Sequence, residues 1–104
     1  MTDIELGGNI KLVGFKEVDS GSMVVLKKII GNYARKIADH DSTFQGIEIN
    51  LKKIHDTGEG SHPKFEIQAK AIIDGHARNA EFVDRNLFVG VDTTLKKVLH
   101  TVQK

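Results

Sequence analysis

From Gly46 to Val83 the sequence changes character at almost every second residue. In 46–55 (GIEINLKKIH), Ile47, Ile49 and Leu51 alternate with Glu48, Asn50 and Lys52. In 64–73 (KFEIQAKAII), Phe65, Ile67, Ala69, Ala71 and Ile73 alternate with Glu66, Gln68, Lys70 and Ile72. In 76–83 (HARNAEFV) the alternation is weaker. Successive side chains of a strand point to opposite faces, so this period of two predicts three strands, each with an apolar and a polar side. Asp74-Gly75 joins the last two, and glycine accepts the positive φ of a tight hairpin turn. DTGEGSHP (56–63), with two glycines and the only proline, reads as a polar loop between the first two. Three strands joined in this way make an antiparallel meander whose apolar face has to be covered.

Two segments with a helical period supply the cover. Asp19 or Ser20 can cap a helix that runs to about Asp39, because their side-chain oxygens accept from the free N–H groups of a first turn. Met23, Leu26, Ile30, Tyr33 and Ile37 then fall on one face at spacings of three and four. Asn86 caps a second helix, whose stripe is Leu87, Phe88, Val91, Leu95, Val98 and Val102, with Leu99 at its edge. Gly90 interrupts that stripe at a cost of up to about 1 kcal/mol relative to alanine, which implies close packing on the sheet there. Ahead of the first helix, Ile4-Glu5-Leu6 and Ile10-Lys11-Leu12 alternate around Gly7-Gly8-Asn9. They read as one strand with a bulge, or as a short strand plus a turn. The order β-α-β-β-β-α gives an α+β fold: a two-layer sandwich with both helices on one face of the meander and the bare sheet on the other.

At 104 residues, without repeats or low-complexity segments, the chain is expected to form a single domain, residues 1–104. No apolar run approaches 18 residues, which argues against a membrane span, and MTDIELGGN has no basic-then-apolar secretory pattern. Cysteine is absent, which excludes disulfides and thiol chemistry and fits a cytoplasmic protein.

The net charge is only +1, but the charges are segregated. Ser20 to Ala38 contains Lys27, Lys28, Arg35 and Lys36 and no acid; Thr93 to Lys104 contains Lys96, Lys97 and Lys104 and no acid. These two segments thus carry +7, and the remaining eight basic and fourteen acidic residues carry −6. Solvated helical faces usually mix signs, because Glu–Lys pairs four apart support the helix. The helix dipole accounts for cations near a C-terminus, such as Lys36 and Lys104, but poorly for Lys27 and Lys28 in the middle. Lys28, Asn32, Arg35 and Lys36 follow one line on the first helix. Thr93, Lys97, His100 and Lys104 follow one on the second. Such lines suit a polyanion. Tyr33, Phe65 and Phe88 all fall on core stripes, so stacking on single-stranded bases is not indicated, and folded RNA read through shape and phosphate fits better.

Other chemistry finds little support. His55 and His62 bracket the polar loop and His76 begins a later strand, and the three lack a zinc-ligand spacing, so no metal is expected. GEGSHP is not a phosphate loop, since no GxxxxGK[ST] pattern exists. Asp56 and Glu59 show no acid–base pairing, and no serine or threonine has a nucleophile's partners. Neither an enzyme nor a cofactor is indicated.

The stretch NLFVGVDTTLKKVL (86–99), with its capping Asn86, Leu87-Phe88, Val91-Asp92 and Lys96-Lys97, resembles the signature of the ribosome hibernation promoting factor and ribosome-associated translation inhibitor family. IELGGN followed by IKL (4–12) is similar to that family's opening strand and turn, and the element order matches over essentially the whole chain. The resemblance implies a fold like that of double-stranded-RNA-binding domains. It also implies binding to ribosomal RNA of the small ribosomal subunit, in the channel for messenger and transfer RNA, and translational silencing under stress. By position, Lys97 matches a lysine of the family's last helix, Lys104 its basic end, and Arg35-Lys36 its basic site late in the first helix. Lys27 and Lys28 are included on charge alone. The ribosome-pairing domain of longer members is not expected here. The alternative is a protein-interaction module that homodimerises through the open sheet, where Glu66, Gln68, Lys70 and Ile72 face outward.

Overall fold

The computed structural model describes residues 4–6 (as backbone), 9–54 and 63–103. His55, Asp56, Glu59, His62 and Lys104 lie outside the described residues. The elements are β1 (Ile4–Leu6), β2 (Ile10–Val13), α1 (Ser20–His40), β3 (Phe44–Ile54), β4 (Lys64–Ile73), β5 (His76–Asp84) and α2 (Leu87–Val102).

Asp74 and Gly75 have φ of 54° and 78°. That is the turn whose backbone twist matches the twist of the strands it joins. β4 and β5 therefore pair antiparallel without a register shift, from Phe65↔Asp84 to Ile73↔His76. β3 pairs antiparallel with β4, and Ile47↔Ala71, Ile49↔Ala69 and Leu51↔Ile67 oppose one another on the inner face. A slip of one residue would turn these side chains into water, so the alternation itself holds the register.

The start of the chain adds something the alternation did not specify. Residues 4–13 form two strands, not one: β1 pairs antiparallel with β2, and β2 pairs parallel with β3 through Ile10↔Ile47 and Leu12↔Ile49. A parallel neighbour requires a long crossover, and α1 is that crossover. The sheet is mixed, in the order β1-β2-β3-β4-β5. From β2 onward the order is β-α-β-β-β-α.

One core lies between the sheet and the two helices. Leu12, Phe15, Leu26, Ile30, Ile37, Ile49, Ile67, Val91, Leu95 and Val98 are all essentially inaccessible. The inward residues of α1 are the expected Met23, Leu26, Ile30, Tyr33 and Ile37, joined by Ala34. Asp19 caps α1 by accepting from Ser22 N–H, and Asn86 caps α2 by accepting from Val89 N–H. Gly90 is buried, and a Cβ there would lie 2.4 Å from Ile67 Cδ1. The glycine is what lets α2 settle onto β4. Gly14 has φ of 86°, and a Cβ on it would lie 2.2 Å from the Leu51 carbonyl oxygen, so the chain leaves β2 pressed against the β3 backbone.

Candidate nucleic-acid interface

Burial of one stripe on each helix decides what the opposite stripe presents. On α1, Lys28, Asn32 and Arg35 lie opposite the Leu26–Ile30–Ile37 stripe and are exposed. Lys28 and Arg35 are about 10 Å apart along the axis at 1.5 Å per residue. On α2, Lys96 and His100, four residues apart, are likewise exposed and turned away from the sheet.

The helices touch directly. Tyr33 Oη donates to Asp92 Oδ1 at 2.9 Å, and Gln103 Nε2 lies 3.2 Å from His40 Nε2. The C-terminal ends are therefore side by side, and α1 and α2 run in the same direction. Lys36, on the flank of α1 that faces α2, holds its ammonium 5.3 Å from the Tyr33 ring centroid. Burial first, and then the hydrogen bond to the Asp92 carboxylate and its charge, push the Tyr33 phenol up to about 12. The phenol stays protonated and remains a donor at ordinary pH. This seam occupies the only acid of α2. The sequence reading assigned Tyr33 to the core and missed the seam. Its visible signal was a lone tyrosine at the stripe's edge and a lone aspartate early in the second helix.

The candidate residues are not all brought together. Lys27 is exposed on the flank of α1 away from α2, since Tyr33 and His40 mark the opposite flank. Lys97 does not continue the line to His100 but bends to the sheet edge. Its Nζ donates to the Glu81 carbonyl at 3.1 Å and lies 4.9 Å from the Phe82 ring centroid. An ammonium over a ring face beside a free carbonyl is better satisfied than one held in water alone. Lys104 lies outside the described residues. α1 also continues past Ala38 to His40, and this places Asp39 on the outer line one turn beyond Arg35. The acid-free stretch of α1 ends there.

What remains is a cationic surface of Lys28, Arg35, Lys36 and Lys96, with Asn32 and His100 as further hydrogen-bonding groups. Among the described residues, no carboxylate lies within 4.0 Å of any of these four cations or of Lys27. The opposite wall is different. On the bare sheet Lys70 Nζ is 3.9 Å from Glu48, Asn50 donates to Glu48, and Gln68 donates to Glu66 and Glu81. That face is polar and mixes both signs of charge.

A third feature corrects the reading of the aromatic residues. Phe88 is 36% exposed. It lies in the first turn of α2. With Phe65, Leu51, Leu87 and Val18 it lines a cleft of about 250 Å³ whose polar members are Glu17, Asp19, Ser22 and Lys53. Among the described residues no group of three or more histidines or acids is placed to hold a metal ion. No helix there is long and apolar enough to cross a membrane. No protein-family model and no curated protein matches the chain.

Proposed function

We propose that the outer surface of the paired helices binds the phosphate backbone of a folded RNA. In this reading the RNA is ribosomal RNA of the small ribosomal subunit, and the protein silences translation under stress by occupying its site, as a cytoplasmic, non-catalytic protein without a cofactor. The supporting observation is that Lys28, Arg35, Lys36 and Lys96 lie on one surface with no carboxylate at ion-pair distance among the described residues. On α1, Lys28, Arg35 and Lys36 span about 12 Å along the axis at 1.5 Å per residue, and Lys96 stands beside them on the parallel α2. Lysines and arginine on such a surface neutralise phosphates without reading bases, which suits recognition of RNA by shape. The ribosomal target and the silencing rest on the likeness of residues 86–99 and of the element order to the hibernation factors.

Co-sedimentation with small ribosomal subunits at rising salt tests the proposal. Lys28→Glu/Arg35→Glu/Lys96→Glu is expected to abolish binding, and the sheet control Glu66→Lys/Lys70→Glu to retain it. The triple variant leaves Lys97 unchanged because that ammonium is engaged at the sheet edge. Equal loss from both variants, or no binding by the wild type, would favour homodimerisation through the open sheet instead.

A further inference from the structure

β5 is the last strand of the sheet, and among the described residues nothing pairs with its outer edge. Ile73↔His76 closes the two-residue hairpin and so exchanges hydrogen bonds. By alternation His76, Arg78, Ala80, Phe82 and Asp84 bond to β4, while Ala77, Asn79, Glu81 and Val83 aim N–H and C=O outward. The Lys97 ammonium on the Glu81 carbonyl agrees with that phase. Exposed edges are normally blunted by charged side chains, lysine above all, or by proline, a bulge or shortness. β5 is nine residues long, has no proline and keeps its register throughout. Lys97 is the guard that the structure shows.

The edge is also complementary to itself. Laid antiparallel against a second copy with Ala80 opposite Ala80, every outward N–H and C=O finds a partner. On the helix face, His76 meets Asp84 of the other copy, and Arg78 meets Phe82. On the open face, Asn79 meets Glu81 and Ala77 meets Val83. The neighbouring registers do worse: the one centred on Glu81 sets two carboxylates against each other. Arg78 of the second copy would take the place over Phe82 that Lys97 holds within the chain, 4.9 Å from the ring centroid. The two cations compete for one ring.

We propose that the β5 edge is a latched self-association surface: a second copy of this chain pairs with it strand to strand, and Lys97 bound to Glu81 and Phe82 holds it closed. The pairing makes a closed dimer, since the other edge of the sheet is the three-residue β1, and a contact of this kind belongs with the small, reversible interfaces below about 1,200 Å². This inference is independent of RNA binding.

Sedimentation velocity over a concentration series tests it, with amide circular dichroism as the check on folding. Lys97→Ala is expected to dimerise about tenfold more tightly than the wild type, the scale of one hydrogen bond to a charged group. Asn79→Pro in the Lys97→Ala background removes an outward N–H and leaves the β4 ladder intact, and is expected to return the protein to the wild-type level. Arg78→Glu in the same background, which changes only an exposed side chain, is expected to do the same. The proposal is overturned if Lys97→Ala dimerises no more tightly than the wild type, if assembly continues past the dimer, or if the folded double variants still dimerise.

Discussion

Tyr33 is the only tyrosine, and tryptophan is absent, so tyrosinate absorbance reports this one phenol. Its folded pKa is raised, so its contribution to stability is complete below pH 10 and is lost as pH rises through about 12. An alkaline titration should give a midpoint near 12 for the folded protein. Asp92→Asn should move it only part of the way back, because burial is the larger cause and the carboxylate the smaller. A midpoint at 10 in the wild type would mean that the helix seam is open in solution. Gly14 makes a harder demand. Alanine there meets both a positive φ and the Leu51 carbonyl, and neither backbone can give way cheaply. Gly14→Ala should cost about 3 kcal/mol in urea unfolding, whereas the half-open pair Lys70–Glu48 should tolerate Lys70→Met within about 0.5 kcal/mol.

Among the elements, the two helices are bounded by different chemistry and should fail differently. Asn86 satisfies an orphan N–H of α2, and Asn86→Ala should lower stability by about 1 kcal/mol at any pH. Asp19 does the same for α1 with a carboxylate that its backbone and side-chain hydrogen bonds from Ser22 hold below its usual value of 3.8. A depressed carboxylate stabilises above its unfolded pKa and loses that effect as pH falls through the folded one. Amide exchange at the start of α1 should therefore quicken in acid below pH 3.8, while the start of α2 stays protected. Gly90→Ala sets helix propensity against packing. Alanine gains up to about 1 kcal/mol in α2, but its methyl must displace the buried Ile67 side chain, an overpacking that costs about 1–3 kcal/mol. A net loss is expected in thermal melts, and a partial rescue by Ile67→Val, which trims the atom in the way.

At the scale of the whole molecule, the cations gathered on the helical surface predict how binding responds to salt. Four cations on the helical surface, each releasing a counterion on meeting a phosphate, give a log–log salt slope of about −3 to −4. Lys36→Ala should reduce its magnitude by about 1 and weaken binding to every RNA sequence alike. Lys97→Ala should leave the slope nearly unchanged, since that ammonium is already engaged at the sheet edge. An equal effect of the two substitutions in a filter-binding titration would show that Lys97 swings out to meet the RNA.

Much of this was legible in the residues themselves. The alternation in 46–55 and 64–73, the Asp74-Gly75 turn, the stripes of both helices apart from Phe88, the capping Asn86 and the tight seat of Gly90 are all local patterns, written within a few residues. Burial then enforces them, because any other phase would strand apolar side chains in water. Contacts between segments distant in the chain have no such local signature. The parallel pairing of β2 with β3, the Tyr33–Asp92 hydrogen bond across 59 positions and the diversion of Lys97 to the Glu81 carbonyl arise only when the sandwich closes. A helix period tells which side chains avoid the core. Where a long, flexible cation comes to rest is decided by the polar and aromatic groups that folding happens to set beside it.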